Sequence, residues 1–190
     1  MGEHPVSRAV FLDRDGVLNR TVVRDGKPYP PASLDDFALL PGVGEACALL
    51  KGAGFLLVVV TNQPDVGRGA QSRTVVEQMH EHLRRALPID RIEVCYDPGN
   101  GAPSDFHKPA PGMVLRAAEA LGIDLAASFM VGDRWRDIDC GRAAGCTTIF
   151  IDRGYAESLR QPPHFRAADL PEAARLIAGK FHAPTHEHTR

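Results

Sequence analysis

The chain has 190 residues, 44% of them hydrophobic and 24% charged, with a formal net charge of -2. Such a chain holds one sizeable core, predicting a single domain over 1–180, and lacks the overall basic field of most nucleic-acid binders. No stretch approaches the roughly 18 apolar residues of a membrane span, and the opening "MGEHPVSRAV" lacks a basic-then-apolar signal, so a cytoplasmic, monomeric protein with small-molecule partners is expected.

In chain order, "AVFL" at 9–12 is the first predicted strand, and its unbroken apolar run indicates burial on both faces, as in a parallel sheet. Residues 19–41 contain four prolines and a "DG" turn beside "TVV", which predicts a small hairpin or flap over the end of that strand. "VGEACALLKGAG" (43–54) reads as a helix with a glycine stop, and "FLLVVV" (55–60) as a second strand. A helix opening on a Ser72 cap comes next at 72–87, then a strand at 91–96 and an irregular loop at 97–111. A helix at 111–123 with proline in its first turn and strands at 128–132 and 147–151 complete the pattern. The alternation predicts an α/β fold, a doubly wound Rossmann-like parallel sheet with right-handed crossovers. Residues 181–190 read as a disordered tail, and four cysteines without CxxC spacing read as reduced, buried thiols.

Each strand runs out into polar residues: Asp13 and Asp15 after the first, Thr61 and Asn62 after the second, Lys108 past the third, Asp133 and Asp137 after the fourth. In an open α/β sheet, ligands bind at this carboxyl edge. Asp13, Asp15 and Asp133 converging there would repel one another without a hard cation, and an all-oxygen set suits Mg²⁺. A calcium loop starting at Asp13 would need an acidic or amide ligand where Val17 stands. Lys108, Thr61 and Asn62 add the donors a phosphate dianion requires.

This constellation resembles the aspartate-nucleophile phosphatases of the haloacid dehalogenase superfamily, through "FLDRDG", "VVVTNQ", "HKPAPG" and "VGDRWRDI" in order. The resemblance implies that Asp13 attacks phosphorus while Asp15 acts as general acid and base. It further implies Mg²⁺ held by Asp13, the Asp15 carbonyl and Asp133, phosphoryl oxygens bound by Thr61, Asn62 and Lys108, and Asp137 in support. Asp13 and Thr61 lie 48 positions apart and Thr61 and Lys108 lie 47 apart, which leaves no room for a large cap domain.

"FLDRDGVLN", the stretch from "FALLPG" to "DVGRG", and "HKPAPGM" are similar to heptose-1,7-bisphosphate 7-phosphatases and their histidinol-phosphate phosphatase relatives. The family would place Arg68 near substrate. Its zinc loop, C-x-H…C-x-C-R-K-P, is here "CYDPGNGAPSDFHKP": Cys95 remains, with Asp97, Ser104, Phe106 and His107 at the other positions. One clear ligand of four remains, so zinc is expected to be absent, a Cys95, Asp97 and His107 set being the alternative. His107 in place of arginine weakens the expected grip on a second phosphate. The expected activity is hydrolysis of a small phosphorylated sugar, heptose bisphosphate first, with histidinol phosphate or another sugar or polyol phosphate as alternatives. A DNA-end phosphatase and a non-catalytic phospho-ligand module rank below these.

Overall fold

A computed structural model describes residues 6–102 and 104–181. Six strands form one parallel sheet: β1 (Arg8–Leu12), β4 (Phe55–Asn62), β5 (Arg91–Cys95), β6 (Phe129–Gly132), β7 (Thr147–Ile151) and β8 (Phe165–Ala167). A separate antiparallel hairpin, β2 (Val22–Arg24) and β3 (Lys27–Tyr29), lies between β1 and β4 in the chain.

The apolar runs are buried on both faces, as their continuity predicts. Val10 and Leu12 join a core with Cys47 and Leu50 of α1 (Val43–Gly52), Met79 and Leu83 of α3 (Arg73–Ala86), and Ala173 and Ile177 of α6 (Leu170–Phe181). Ala9 and Phe11 join a second core with Met113, Val114 and Ala117 of α4 (Gly112–Leu121) and Cys140 of α5 (Trp135–Ala143). Strand alternation thus sends successive side chains to opposite helix layers. All four cysteines are buried and free.

The strand order is β5-β4-β1-β6-β7-β8. The chain builds outward from β1 on one side and then returns to build on the other, so the order reverses at β1. Clefts form where neighbouring connections leave a sheet in opposite directions, which is the carboxyl end of β1 between β4 and β6. Leu12 is in register with Val59 and Val131, and the Asp13 N–H donates to the Val131 carbonyl at 3.0 Å.

The hairpin turns at Asp25 and Gly26, with φ of 50° and 70°, the paired positive angles that a tight Asp-Gly turn adopts. It is the predicted flap, and no larger cap is inserted among the described residues. Helix α3 starts beside Ser72 as expected, but without the side-chain cap; the Ser72 N–H instead donates to the Gln71 side chain. The sequence patterns pointed to no element beyond 151, whereas the structure adds β8 and α6; it also adds the short α2 (Pro64–Gly67). Phe181 closes α6, and the rest of the predicted tail lies outside the described residues. No described helix is long and apolar enough to cross a membrane.

Candidate active site

Asp13 leaves β1 with its carboxylate almost buried. Its Oδ1 accepts the Arg14 N–H at 2.7 Å and faces the Lys108 ammonium at 2.9 Å; neither bond uses Oδ2. Burial, reinforced by Asp137 and Asp15 and opposed by Lys108, pushes the Asp13 carboxyl up to about 6. Lys108 is buried too, and its Nζ donates to Asp137 at 2.7 Å and to the Val60 carbonyl at 2.7 Å. Burial alone would lower its pKa, but Asp13 and Asp137 outweigh that and hold it above the ordinary lysine range.

Asp137 uses both oxygens, one on Lys108 and the other on the Arg134 N–H at 3.0 Å, which caps α5. It reaches Lys108 because Gly132 carries no side chain; a Cβ there would lie 2.1 Å from that of Asp137. Gly16, at φ +84°, has the same kind of role: a Cβ would fall 1.8 Å from Asp133 Oδ2. The glycine after the second aspartate is therefore required by both its backbone angle and the carboxylate above it.

Asp133 is the unbalanced member. Both its oxygens are buried without a hydrogen-bond partner, and burial, with the charges of Asp13 and Asp137, raises its pKa well above the ordinary value. Asp13, Asp133 and Asp137 bring carboxylate oxygens within 4.8 Å of one another. Buried carboxylates with open oxygens suit a hard divalent cation. Since Asp137 is already committed, Asp13 and Asp133 are the carboxylates open to such an ion.

Asp15 is held on every side. Arg14 faces it with a two-pronged pair whose contacts run from 3.0 to 3.3 Å, Asn19 donates to Oδ1 at 2.9 Å, and Gln63 to Oδ2 at 2.8 Å. Gln63 also donates to the Thr61 hydroxyl at 2.9 Å, linking Thr61 to Asp15. The Asn62 amide is spent on the Lys108 backbone, donating at 3.0 Å and accepting at 3.1 Å, so it fastens the lysine segment to β4.

A cavity of about 230 Å³ joins Asp13, Asp15, Asn62, Gln63 and Lys108, with Pro28, Tyr29 and Pro30 of the flap on one wall and Arg68, Arg134 and Arg136 on others. Arg68 donates to the Pro98 carbonyl and pairs with Asp65, and Arg134 pairs with Glu157. Arg136 has no such acidic partner among the described residues; its Nε is buried without an acceptor and the guanidinium lies 5.6 Å from the Trp135 ring centre.

The 97–111 loop does not bring its candidate ligands together. His107 Nδ1 is 4.0 Å from Cys95 Sγ, but the Asp97 carboxylate accepts the Gly99 and Ser104 N–H groups, each at 2.8 Å. Burial and the positive charge of Arg136 lower the His107 pKa. Sequence reasoning missed Gln63, Asn19 and Arg14, although all three stand inside or beside the motifs that carried it.

A family model described as HAD-hydrolase-like matches residues 106–173. The chain is 38% identical over 184 residues to the D-glycero-beta-D-manno-heptose-1,7-bisphosphate 7-phosphatase of Escherichia coli strain K12, covering 88% of this chain and 93% of that one. It is 36% identical over 156 residues to the alpha-anomer 7-phosphatase of Burkholderia mallei, covering 76% and 79%. The structure is similar to that of a D,D-heptose 1,7-bisphosphate phosphatase from B. bronchiseptica complexed with magnesium and phosphate, with a TM-score of 0.74, 29% identity, and 91% and 99% of the two chains covered.

Proposed function

Because the chain belongs to the haloacid dehalogenase-like phosphatases, in the family of the heptose-1,7-bisphosphate 7-phosphatases, we propose that it removes the 7-phosphate of D-glycero-D-manno-heptose 1,7-bisphosphate through an aspartyl-phosphate intermediate. The observation that carries this reading is the pairing of Asp13, clamped by Lys108, with the orphaned carboxylate of Asp133.

In this reading one carboxylate oxygen of Asp13 forms a bond to phosphorus as the bond from phosphorus to the sugar oxygen breaks, and the departing oxygen takes a proton from Asp15. Asp15 then removes a proton from water, whose oxygen attacks phosphorus, releasing inorganic phosphate and restoring Asp13. The i, i+2 spacing places both carboxyls at one strand end. Mg²⁺, held by Asp13, the Asp15 carbonyl and Asp133, would offset the repulsion between an anionic nucleophile and an anionic substrate. Lys108 and the Thr61 hydroxyl bind the transferring phosphoryl oxygens, and Asp137 aims Lys108. Asn62, on the cavity wall, is proposed to join them at the phosphoryl oxygens while its side chain fastens the Lys108 backbone.

The second phosphate is assigned to the arginine wall. Arg136 supports that assignment best, since its charge has no acidic partner among the described residues. The 97–107 loop is proposed to work without zinc, because Asp97 is consumed by backbone donors. Relatives acting on both anomers leave the choice of anomer to experiment. One observation favours a second reading, a monophosphorylated sugar or polyol: His107 stands where the similar loops carry arginine, and burial and Arg136 lower its pKa.

The test is phosphate release with Mg²⁺ from heptose 1,7-bisphosphate, heptose 7-phosphate and histidinol phosphate. The bisphosphate is expected to give the highest kcat/KM, with the 1-phosphate retained in the product. A higher value for either monoester would transfer the assignment to that substrate.

A further inference from the structure

Arg14, the residue between the two aspartates, is fully buried. A guanidinium tolerates removal from water only where its N–H groups find acceptors. Nε and Nη2 find them in the Asp15 carboxylate. Nη1 lies 3.3 Å from Nε2 of His80, a residue 1% exposed on α3.

Arginine only donates, so His80 Nε2 must present a lone pair and the ring proton must sit on Nδ1. That nitrogen makes no hydrogen bond, its nearest acidic group being the Glu77 carboxylate at 3.5 Å, and Glu77 accepts the Tyr96 hydroxyl at 2.5 Å. Burial first, and the charge of Arg14 second, keep the imidazole neutral and therefore able to accept. The Phe37 ring, with its centre 6.0 Å from the Arg14 guanidinium carbon, flanks the same group. The chain of contacts runs from Asp15 through Arg14, His80 and Glu77 to Tyr96, at the head of the 97–111 loop.

We propose that His80 is a positioning residue for the phosphoryl-transfer step: by accepting the Arg14 Nη1–H it fixes the rotation of the guanidinium, which holds the Asp15 carboxyl where the departing oxygen needs a proton. This inference rests on the assignment of Asp15 as general acid. Asn19 and Gln63 still hold Asp15 when His80 is changed, so what is lost is aim and not the acid itself.

A role in aiming an acid has a signature that packing lacks. An ester with a good leaving group needs little protonation, whereas a sugar alkoxide or phenolate needs much. The test is kcat/KM for aryl phosphates of graded leaving-group pKa and for a sugar phosphate, with Mg²⁺, in wild type, His80→Leu and His80→Gln. Thermal unfolding is recorded for each protein. In His80→Leu, kcat/KM is expected to fall about tenfold for the poor leaving groups and less than about twofold for nitrophenyl phosphate, steepening the dependence on leaving group. His80→Gln, which returns an acceptor near the place of Nε2, is expected to recover most of the loss. An equal fall for every substrate, an unchanged slope, or a glutamine variant no better than leucine would overturn the proposal. Failure of the wild type to hydrolyse any phosphomonoester would instead overturn the functional assignment beneath it.

Discussion

Lys108 Nζ lies 2.7 Å from Asp137 Oδ1, and both side chains are almost completely removed from solvent. Asp13 shares the same ammonium at 2.9 Å, so one cation joins the proposed nucleophile to a residue of α5. Breaking one partner of a buried ion pair costs more than the pair contributes, because the remaining charge is stranded. Asp137→Asn, which keeps the shape, is expected to lower stability by about 3 kcal/mol and kcat by about tenfold to a hundredfold. Denaturant unfolding and steady-state kinetics check the two numbers.

Asp133 makes the opposite prediction for stability. Its carboxylate is buried without a partner beside Asp13 and Asp137, so without metal Asp133→Asn is expected to unfold at the same or a higher temperature than wild type. With Mg²⁺ at 100 times its dissociation constant, wild type gains about 2.7 kcal/mol and the variant gains much less. Thermal unfolding with EDTA and with Mg²⁺ measures both effects.

His80 gives the fold a pH dependence of definite sign. Burial and Arg14 lower its pKa to about 4 from an ordinary 6.5, against the opposing pull of Glu77. The unfolded chain therefore binds the extra proton first as pH falls. The contribution is fully present above about 6.5 and is lost between 6.5 and about 4. Its size is on the order of 3 kcal/mol. His80→Gln should flatten the stability profile across that window while leaving the profile above pH 7 parallel to wild type, as read by denaturant unfolding at each pH.

Arg136 separates the two phosphates of the proposed substrate. Arg136→Gln is expected to raise KM for heptose 1,7-bisphosphate by about tenfold to a hundredfold, and to change KM for a monophosphate several-fold less. Equal effects on the two would place Arg136 on the transferring phosphoryl group instead.

Much of this was legible in the sequence because the strands are continuous apolar runs and the catalytic candidates sit within a residue or two of their ends. Asp13, Thr61 and Asp133 needed only strand ends and sheet topology to be placed. The network around them was not legible, since Gln63 and His80 meet Asp15 and Arg14 across 48 and 66 positions of sequence. The pairing of the Asn62 side chain with the Lys108 backbone, 46 positions away, was likewise invisible in the sequence. The pattern of α6, with Leu170, Ala173, Ala174 and Ile177 buried, was present and overlooked because β8 before it is only three residues long.

The central claim is that Asp13 is the nucleophile, and the most direct measurement is phosphate release by Asp13→Asn with saturating Mg²⁺ and substrate. Loss of a nucleophile that forms a covalent intermediate is expected to lower kcat by about 10³-fold or more, with the circular dichroism spectrum unchanged. A folded Asp13→Asn protein that turns over within about tenfold of wild type would contradict the account.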